Sequence, residues 1–578
     1  MLFLGFIGSG TSTVHAQDKE EKDLGTQTVT VVKAYTPTIA DAFKIKMMPT
    51  LNDSLLLKKR QIQYTIFSVP VASTFTPAKG TAAALVKSPP EKLYNSSATI
   101  GVGSYANAIA NFYTSRALNR DERLDFGVQH LSSSGTVDKA LLTSTFYDTN
   151  VMANYIKTER EMQWGVHGGV SHKIYHWYGV SESELTLDEL NGVDAKQRYF
   201  SAELGADIHF EDAIFNDASF LLRHFSDRVS SAENQVVFEP KITFPVADEQ
   251  VQLTAKLEYL SGSFENAPLS NFNTAAMSYS GLQITARPQV VLMDDTWKVQ
   301  LGVAVTYASD MENSTNKLYF YPAVDASYAV WKDMLIAFGS VNGALKQNTY
   351  ADFVSDNPFV SPTLTVRPTD VKYVGELGVK GKLGTGFTYS FSGSYKNAAN
   401  QALYVQNPIN RFRPEEKSYV YGNSFNVTYQ DIKTLGIHAK TGIAVSDSFT
   451  LGAAIDFYTY TMDEGATPFN LPDAQAELSL DYVINEKWFA GASLFYMGQR
   501  QDQEYTLVQT IANAEIVPDA VLLPTYLDAN AHVGYRLNEQ WLVFLKLNNI
   551  TNNAYDRWSG FPVQGFQVMA GATYKFDF

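Results

Sequence analysis

The feature that most constrains this chain is an alternation of period two that recurs from about Asn95 to the last residue. In QVQLTAKLEYL, Val251, Leu253, Ala255, Leu257 and Tyr259 fall on one face, and Gln252, Thr254, Lys256 and Glu258 fall on the other. WKVQLGVAVTY places Trp297, Val299, Leu301, Val303, Val305 and Tyr307 together; FTYSFSGSY does the same with Phe387, Tyr389, Phe391 and Tyr395. AELSLDY sets Ala476, Leu478, Leu480 and Tyr482 against Glu477, Ser479 and Asp481. Successive side chains of a strand point to opposite faces, so each segment reads as a strand with one apolar and one polar side. No run approaches the roughly 18 apolar residues that a membrane-spanning helix needs.

The connections alternate too. One set is short: NRDE (119–122), DDT (294–296), KD (332–333), TG (385–386), SDS (446–448), NEK (485–487) and NEQ (538–540). The other is long and irregular, as in SESELTLDELNGVDAK, ADFVSDNPFVSPTLTVRPTD and the stretch from about Asp502 to Pro524. Tight turns at one end and long loops at the other describe a transmembrane antiparallel β-barrel. The fold class is all-β, with about 22 strands between Ser96 and Phe578, each long enough for the 9–11 residues of a tilted crossing.

Lipid fixes which face is outside. Turning strand 250–260 over would put Lys256 against acyl chains, at roughly 2–4 kcal/mol for that residue alone. The outer wall is therefore aliphatic and the lumen polar. Trp164, Trp297, Trp331, Trp488 and Trp541 sit beside short turns, where an interfacial girdle belongs. A soluble propeller or sandwich would carry Lys and Glu, rather than Leu and Tyr, on its outer faces. Aromatic residues make up 13% of the chain, cysteine is absent, and the net charge is −15. Disulfides and thiolate metal sites are thereby excluded, and nucleic acid is disfavoured as a partner.

Ahead of the barrel, MLFLGFIGSGTSTVHAQ reads as a signal peptide over residues 1–16. Its apolar core is LFLGFIG, and Val14-His15-Ala16 is a small-residue cleavage site before Gln17. No Lys or Arg precedes that core, a departure from the pattern. Residues 17–94 form a short, largely extended segment. DKEEKD is charged, and YTPTIADAFKIKMMPT and FTPAKGTAAALVKSPPEK are rich in proline and small residues.

The last strand, FQVMAGATYKFDF, carries Gly571, Tyr574, Phe576 and the terminal Phe578, which resemble the signal read by the barrel-assembly machinery. The hairpin WLVFLKLNNITNNAYDRWSGFPVQGFQVMAGATYKF is similar to the C-terminal hairpin of TonB-dependent receptors. Asn549, Ile550, Thr551 and Tyr555 match its Asn-apolar-polar-x-x-x-Tyr step, and Gly560, Pro562 and Gly565 match its loop. Phe566 stands where that family usually has Arg. ATIGVGSYANAIANFYTSRALNRDERLDFGVQHLSSSG fits the start of such a barrel: two strands around a tight outer turn, then an inner turn and a third strand. The resemblance covers about residues 95–578 and implies a Gram-negative outer-membrane location, with a periplasmic N-terminus and extracellular long loops.

Thr28, Val29, Thr30, Val31, Val32 and Ala34 resemble the TonB box of that family, with one residue extra. β-Branched residues favour extended chain, whose free N–H and C=O groups can join the edge of a periplasmic sheet. The family's globular plug does not fit into residues 17–94. The expectation is instead that residues 35–94 and inward-folded loops fill the lumen through polar contacts. Two functions follow: a receptor-like transporter coupled to TonB, or a non-transporting subunit of an outer-membrane assembly or secretion complex that docks another periplasmic protein. Outer-membrane lipid and the assembly machinery are the remaining partners implied.

Other chemistry is thin. His167, His172 and His176 lie on one strand, the last two about 13 Å apart by strand rise, too far to share a metal. Rim residues of a loop end are the better description of them. No Ser/His or Asp/His set stands out, and phosphate loops are absent. The sequence points to no cofactor, no metal and no enzyme.

Overall fold

The computed structural model describes residues 92–578, apart from 181–184, 186, 212–213, 248, 267–275, 410–417 and 510–513. The chain divides into two compact units. Lys33–Leu93 is one, of which only Lys92 and Leu93 are described; the other contains the barrel.

The alternating segments form a single 22-stranded antiparallel sheet that closes on itself. Neighbours in sequence are neighbours in the sheet throughout, so the barrel is a simple meander. Closure joins the first strand, Ser96–Gly103, to the last, Gln567–Phe576, with Thr99 opposite Thr573 and Gly101 opposite Gly571. The Thr99 and Thr573 hydroxyls meet at 2.8 Å across this seam. A closed sheet has no edge, which is what hydrocarbon requires of a backbone that water cannot reach.

The period-two reading of orientation holds in the wall. Leu301, Val303, Phe391, Leu435, Ile437, Leu478 and Leu377 are exposed on the outer face. Lys256 turns inward and pairs with Glu258 at 2.7 Å. At the short-turn end the outer tryptophans pair across strands with tyrosine: Trp488 with Tyr535 at 4.6 Å, Trp541 with Tyr574 at 4.7 Å, and Trp164 with Tyr155 at 5.4 Å. Such rings suit the membrane boundary, where one edge is wet and the body apolar. Gly384, at φ +64°, turns the chain between Thr369–Leu383 and Phe387–Gln406.

The strands differ in height. Phe387–Gln406 and Phe425–Ser446 have 20 and 22 residues, whereas Ala474–Val483 and Trp488–Met497 have 10 each. The tall strands rise past the width of a bilayer and form a raised rim at the long-loop end. Over the low side stands a separate hairpin, Arg500–Gln509 paired with Ala514–Leu523. It occupies the stretch that the sequence suggested was irregular. Its residues supply strand backbone but belong to no barrel strand.

Candidate functional site

Five of the long connections, 134–145, 177–195, 347–368, 407–424 and 549–566, meet in one buried cluster at the mouth. Its largest fully buried side chains include Trp177, Tyr350, Tyr419, Phe359 and Phe561. Phe359 and Phe561 stack at 3.8 Å; Tyr178 packs edge-on against both, and Trp558 packs edge-on against Tyr404. These connections leave the barrel at widely separated strands. For them to touch, the chain must cross the opening, so the cluster is a lid.

Hydrogen bonds tie the crossing segments to each other. Trp177 Nε1 and Tyr199 Oη both donate to the Pro358 carbonyl, at 2.9 and 2.7 Å. Asn423 Nδ2 donates to the Trp177 carbonyl at 2.8 Å, and Tyr178 Oη to that of Pro562 at 2.8 Å. Gln564 reaches Ser133, on the third strand, at 2.9 Å. A backbone removed from water must pair its polar groups, and side chains from distant loops do this here.

One piece of the lid is the short helix Tyr350–Asp356, with Tyr350, Ala351, Phe353 and Val354 buried. Thr349 caps it, accepting from Asp352 N at 3.0 Å. Glu233, 1% exposed at the top of its strand, accepts from Tyr350 N at 2.7 Å and Ala351 N at 3.1 Å. Its carboxylate thus meets the positive end of the helix and satisfies two N–H groups that lack intrahelical partners. Arg223 forks to Asp352 and Thr349, both at 2.9 Å, and Tyr350 Oη donates to Asp227 at 2.9 Å. The helix follows the strand Leu335–Lys346 but is anchored on Phe215–Asp227 and Ala232–Val246, six and five strands away round the barrel.

A second polar knot joins the accessory hairpin to the last loop. Arg500 donates to the carbonyls of Asp556 and Arg557. Asp502, fully buried, accepts from Gln503 N at 2.8 Å and Ser559 N at 3.4 Å. Burial pushes the Asp502 carboxyl up to about 6, against the lowering effect of those hydrogen bonds. Burial also raises Asp356 and Asp556 above the usual carboxylate range.

The Asn549–Tyr555 step has a structural reason. Asn549, at φ +45° and 1% exposed, donates to the carbonyls of Asn553 and Gln564 and accepts from Asn553 N and Thr551 Oγ1. Tyr555 stacks on Tyr526 at 3.8 Å and donates to Asp528 at 2.7 Å. Together they launch the last loop over the mouth instead of away from it.

The model of the TonB dependent receptor-like β-barrel family matches residues 80–550. The chain belongs to that family. No curated protein matches this TonB-dependent receptor-like barrel. Among solved structures, it is similar to the siderophore receptor PirA from Acinetobacter baumannii, at 11% identity and TM-score 0.61, over 83% of this chain and 80% of that one. The ferric-catecholate import receptor Fiu from K12 E. coli gives 10% identity and TM-score 0.60, over 84% and 82%. The outer-membrane ferripyoverdine receptor of Pseudomonas aeruginosa gives 12% and 0.60, over 85% and 72%. At such identities these likenesses show the fold alone.

The sequence-derived candidates fall in three places. Thr28, Val29, Thr30, Val31, Val32 and Ala34 lie outside the described residues, as do residues 35–91 of the expected lumen segment 35–94. Gly571, Tyr574, Phe576 and Phe578 are at the closing seam. A Cβ on Gly571 would come within 2.3 Å of the Phe544 ring, so the position needs glycine. Tyr574, Phe576 and Phe578 run along the wall as a ladder of ring contacts at 5.4 and 5.1 Å. The three histidines of Met162–His176 do not converge: His167 pairs with Asp207 at 3.2 Å and His176 with the Thr145 carbonyl at 2.6 Å. No metal-holding cluster occurs among the described residues.

Two expectations need correction. Inward-folded loops are present and do bond to wall residues such as Glu233, Arg223 and Asp227, but a shared aromatic core, absent from the expectation, also joins them to one another. And a Ser/His/Asp set does exist: Ser394 Oγ meets His438 Nε2 at 2.8 Å, and His438 Nδ1 meets Asp456 at 2.6 Å. These residues lie on three adjacent strands, so only the pairing register brings them together.

Proposed function

We propose that this barrel is an outer-membrane transporter of the TonB-dependent type, with long loops extracellular, short turns and N-terminus periplasmic, and the loop lid as its outer gate. The observation that carries the proposal is the lid: five connections bury a shared aromatic core across the mouth of a receptor-family barrel. A ligand bound by those loops would have to disrupt that core before entering. Each large aromatic side chain withdrawn from the core costs about 1.5–3 kcal/mol, so the closed state is the resting one. Thr28–Ala34 would couple the barrel to force by adding a strand to a periplasmic partner.

Photo-crosslinking in living cells from Val29 tests this. Capture of the TonB C-terminal domain supports energised transport. Capture of a different periplasmic protein, without TonB, overturns it in favour of a docking subunit.

A further inference from the structure

We propose that the lumenal wall carries a nucleophilic site, Ser394–His438–Asp456, which cleaves small esters inside the barrel. Ser394 lies on Phe387–Gln406, His438 on Phe425–Ser446 and Asp456 on Phe449–Thr461. Their sequence neighbours Phe391, Tyr395, Leu435, Ile437, Ile455 and Phe457 are exposed on the outer face. Period two therefore turns Ser394, His438 and Asp456 into the lumen.

The order of contacts is what distinguishes the set from ordinary wall hydrogen bonding. A carboxylate oxygen accepts, so the 2.6 Å contact from Asp456 places the imidazole hydrogen on Nδ1. Nε2 is then left with a lone pair facing the Ser394 hydroxyl at 2.8 Å. That is the arrangement of nucleophile, base and orienting carboxylate, recognised by geometry and not by position in sequence. The other lumenal pairs, His167–Asp207 and His209–Asp217, carry a carboxylate on Nδ1 and, among the described residues, no serine on the second nitrogen.

Gly436 makes the geometry possible. It stands directly opposite Ser394 and Tyr458 in the ladder. A Cβ there would approach Ser394 Oγ to 2.6 Å and His438 Nε2 to 2.8 Å, so any other residue would separate them. Tyr458, with its ring 5.7 Å from that of His438, stands on the far side of the gap. The side chains of His438 and Asp456 are 23% and 20% exposed, so water reaches the site.

The reaction balances with water as the only co-reactant. Ser394 Oγ bonds to the ester carbonyl carbon as its proton passes to His438 Nε2. The carbonyl–alkoxy bond breaks, and His438 returns the proton to the leaving alcohol. Water, deprotonated by His438, then bonds to the acyl carbon; the bond to Ser394 Oγ breaks, and His438 returns the proton to Ser394 as the acid leaves. Asp456 touches no substrate and acts as a positioning residue.

The test is labelling of the detergent-solubilised full chain with a small fluorophosphonate, the site being mapped by mass spectrometry. Hydrolysis of p-nitrophenyl acetate is followed in parallel. The expected result is a phosphonylated Ser394, with Ser394→Ala and His438→Gln each slowing ester turnover roughly 10²–10⁴-fold. Asp456→Asn should lower kcat while leaving KM unchanged, which loss of wall structure would not do. Because the chain has no cysteine, Ser394→Cys with a small maleimide reports access independently. Maleimide labelling at position 394, with wild-type Ser394 inert to the fluorophosphonate, would overturn the proposal. So would ester hydrolysis unchanged in Ser394→Ala.

Discussion

The wall and the lid use the same aromatic and aliphatic residues in opposite ways. In the wall, apolar side chains point outward and meet a solvent of lipid; neighbouring strands are neighbours in sequence, and each needs only its own alternation to be placed. In the lid, apolar side chains point at one another, and contacts join residues as far apart as Tyr178 and Pro562. Five of the seven tryptophans serve the wall at the short-turn end, and Trp177 and Trp558 serve the lid. The difference shows that a barrel of this family can close its mouth with ordinary core packing, built from pieces that carry no periodic signal.

The sharpest way to break the comparison is to empty the lid and leave the wall intact. Phe359→Ala and Phe561→Ala each remove half of the 3.8 Å stack, at about 3–5 kcal/mol per site. The double variant should keep its folded, heat-modifiable barrel while its long loops become protease-sensitive. In planar bilayers it should pass more current than wild type if the lid is the main obstruction. Unchanged loop protection would show that the cluster is not a cooperative unit.

The wall answers to charge instead. Leu377 is 74% exposed on the outer face and lies between Gly339 and Gly393, so no neighbouring side chain covers it. Leu377→Arg should cost roughly 2–4 kcal/mol in urea unfolding from lipid vesicles. Gln300→Arg, facing the lumen opposite Asp325, should change little. Equal losses at the two positions would contradict the assigned faces.

These contrasts also explain what the sequence made legible. Strand number, facing and the tryptophan girdle follow from local alternation, and all are present in the structure. The accessory hairpin Arg500–Gln509/Ala514–Leu523 reads as loop in the sequence, since two further strands outside the barrel have no lipid to impose a strict apolar face. Asn549 and Tyr555 were recognisable as a motif, but their reason, bonds to Gln564 and Asp528, is tertiary. Ser394, His438 and Asp456 escaped because they are 44 and 18 residues apart and converge only in one register. A slip of one residue would send any of them to the lipid face.

A third prediction concerns protons, and it touches the lid alone. The Asp502 carboxyl is raised to about 6 in the folded hairpin, by burial. A carboxyl so raised binds its proton more tightly folded than unfolded. Its contribution is therefore fully present below the ordinary pKa of about 4 and lost as pH rises through about 6. Amide exchange, corrected for its intrinsic pH dependence, should report slower opening of the hairpin near pH 4.5 than near pH 7. Asp502→Asn should flatten that difference while barrel amides remain unaffected.

The smallest effects come from matched Trp→Phe changes, and they separate the two regions most finely. Trp177 is fully buried, and its Nε1 donates to Pro358 at 2.9 Å. Phenylalanine would forfeit that bond, but Tyr199 also donates to the same carbonyl and keeps it satisfied. The loss should then be near the net value of one hydrogen bond plus the missing ring volume, about 1–2 kcal/mol. Trp488 is 43% exposed and contacts Tyr535 at 4.6 Å. Trp488→Phe keeps an aromatic contact and gives up an interfacial N–H, at about 0.5–1 kcal/mol. Lipid should enter only the second measurement. The Trp488→Phe cost should vary between detergent and vesicles, because its partner is the membrane boundary, and the Trp177→Phe cost should be the same in both, because its partners are protein. If both costs followed the lipid, Trp177 would belong to the wall and the two-region description would fail.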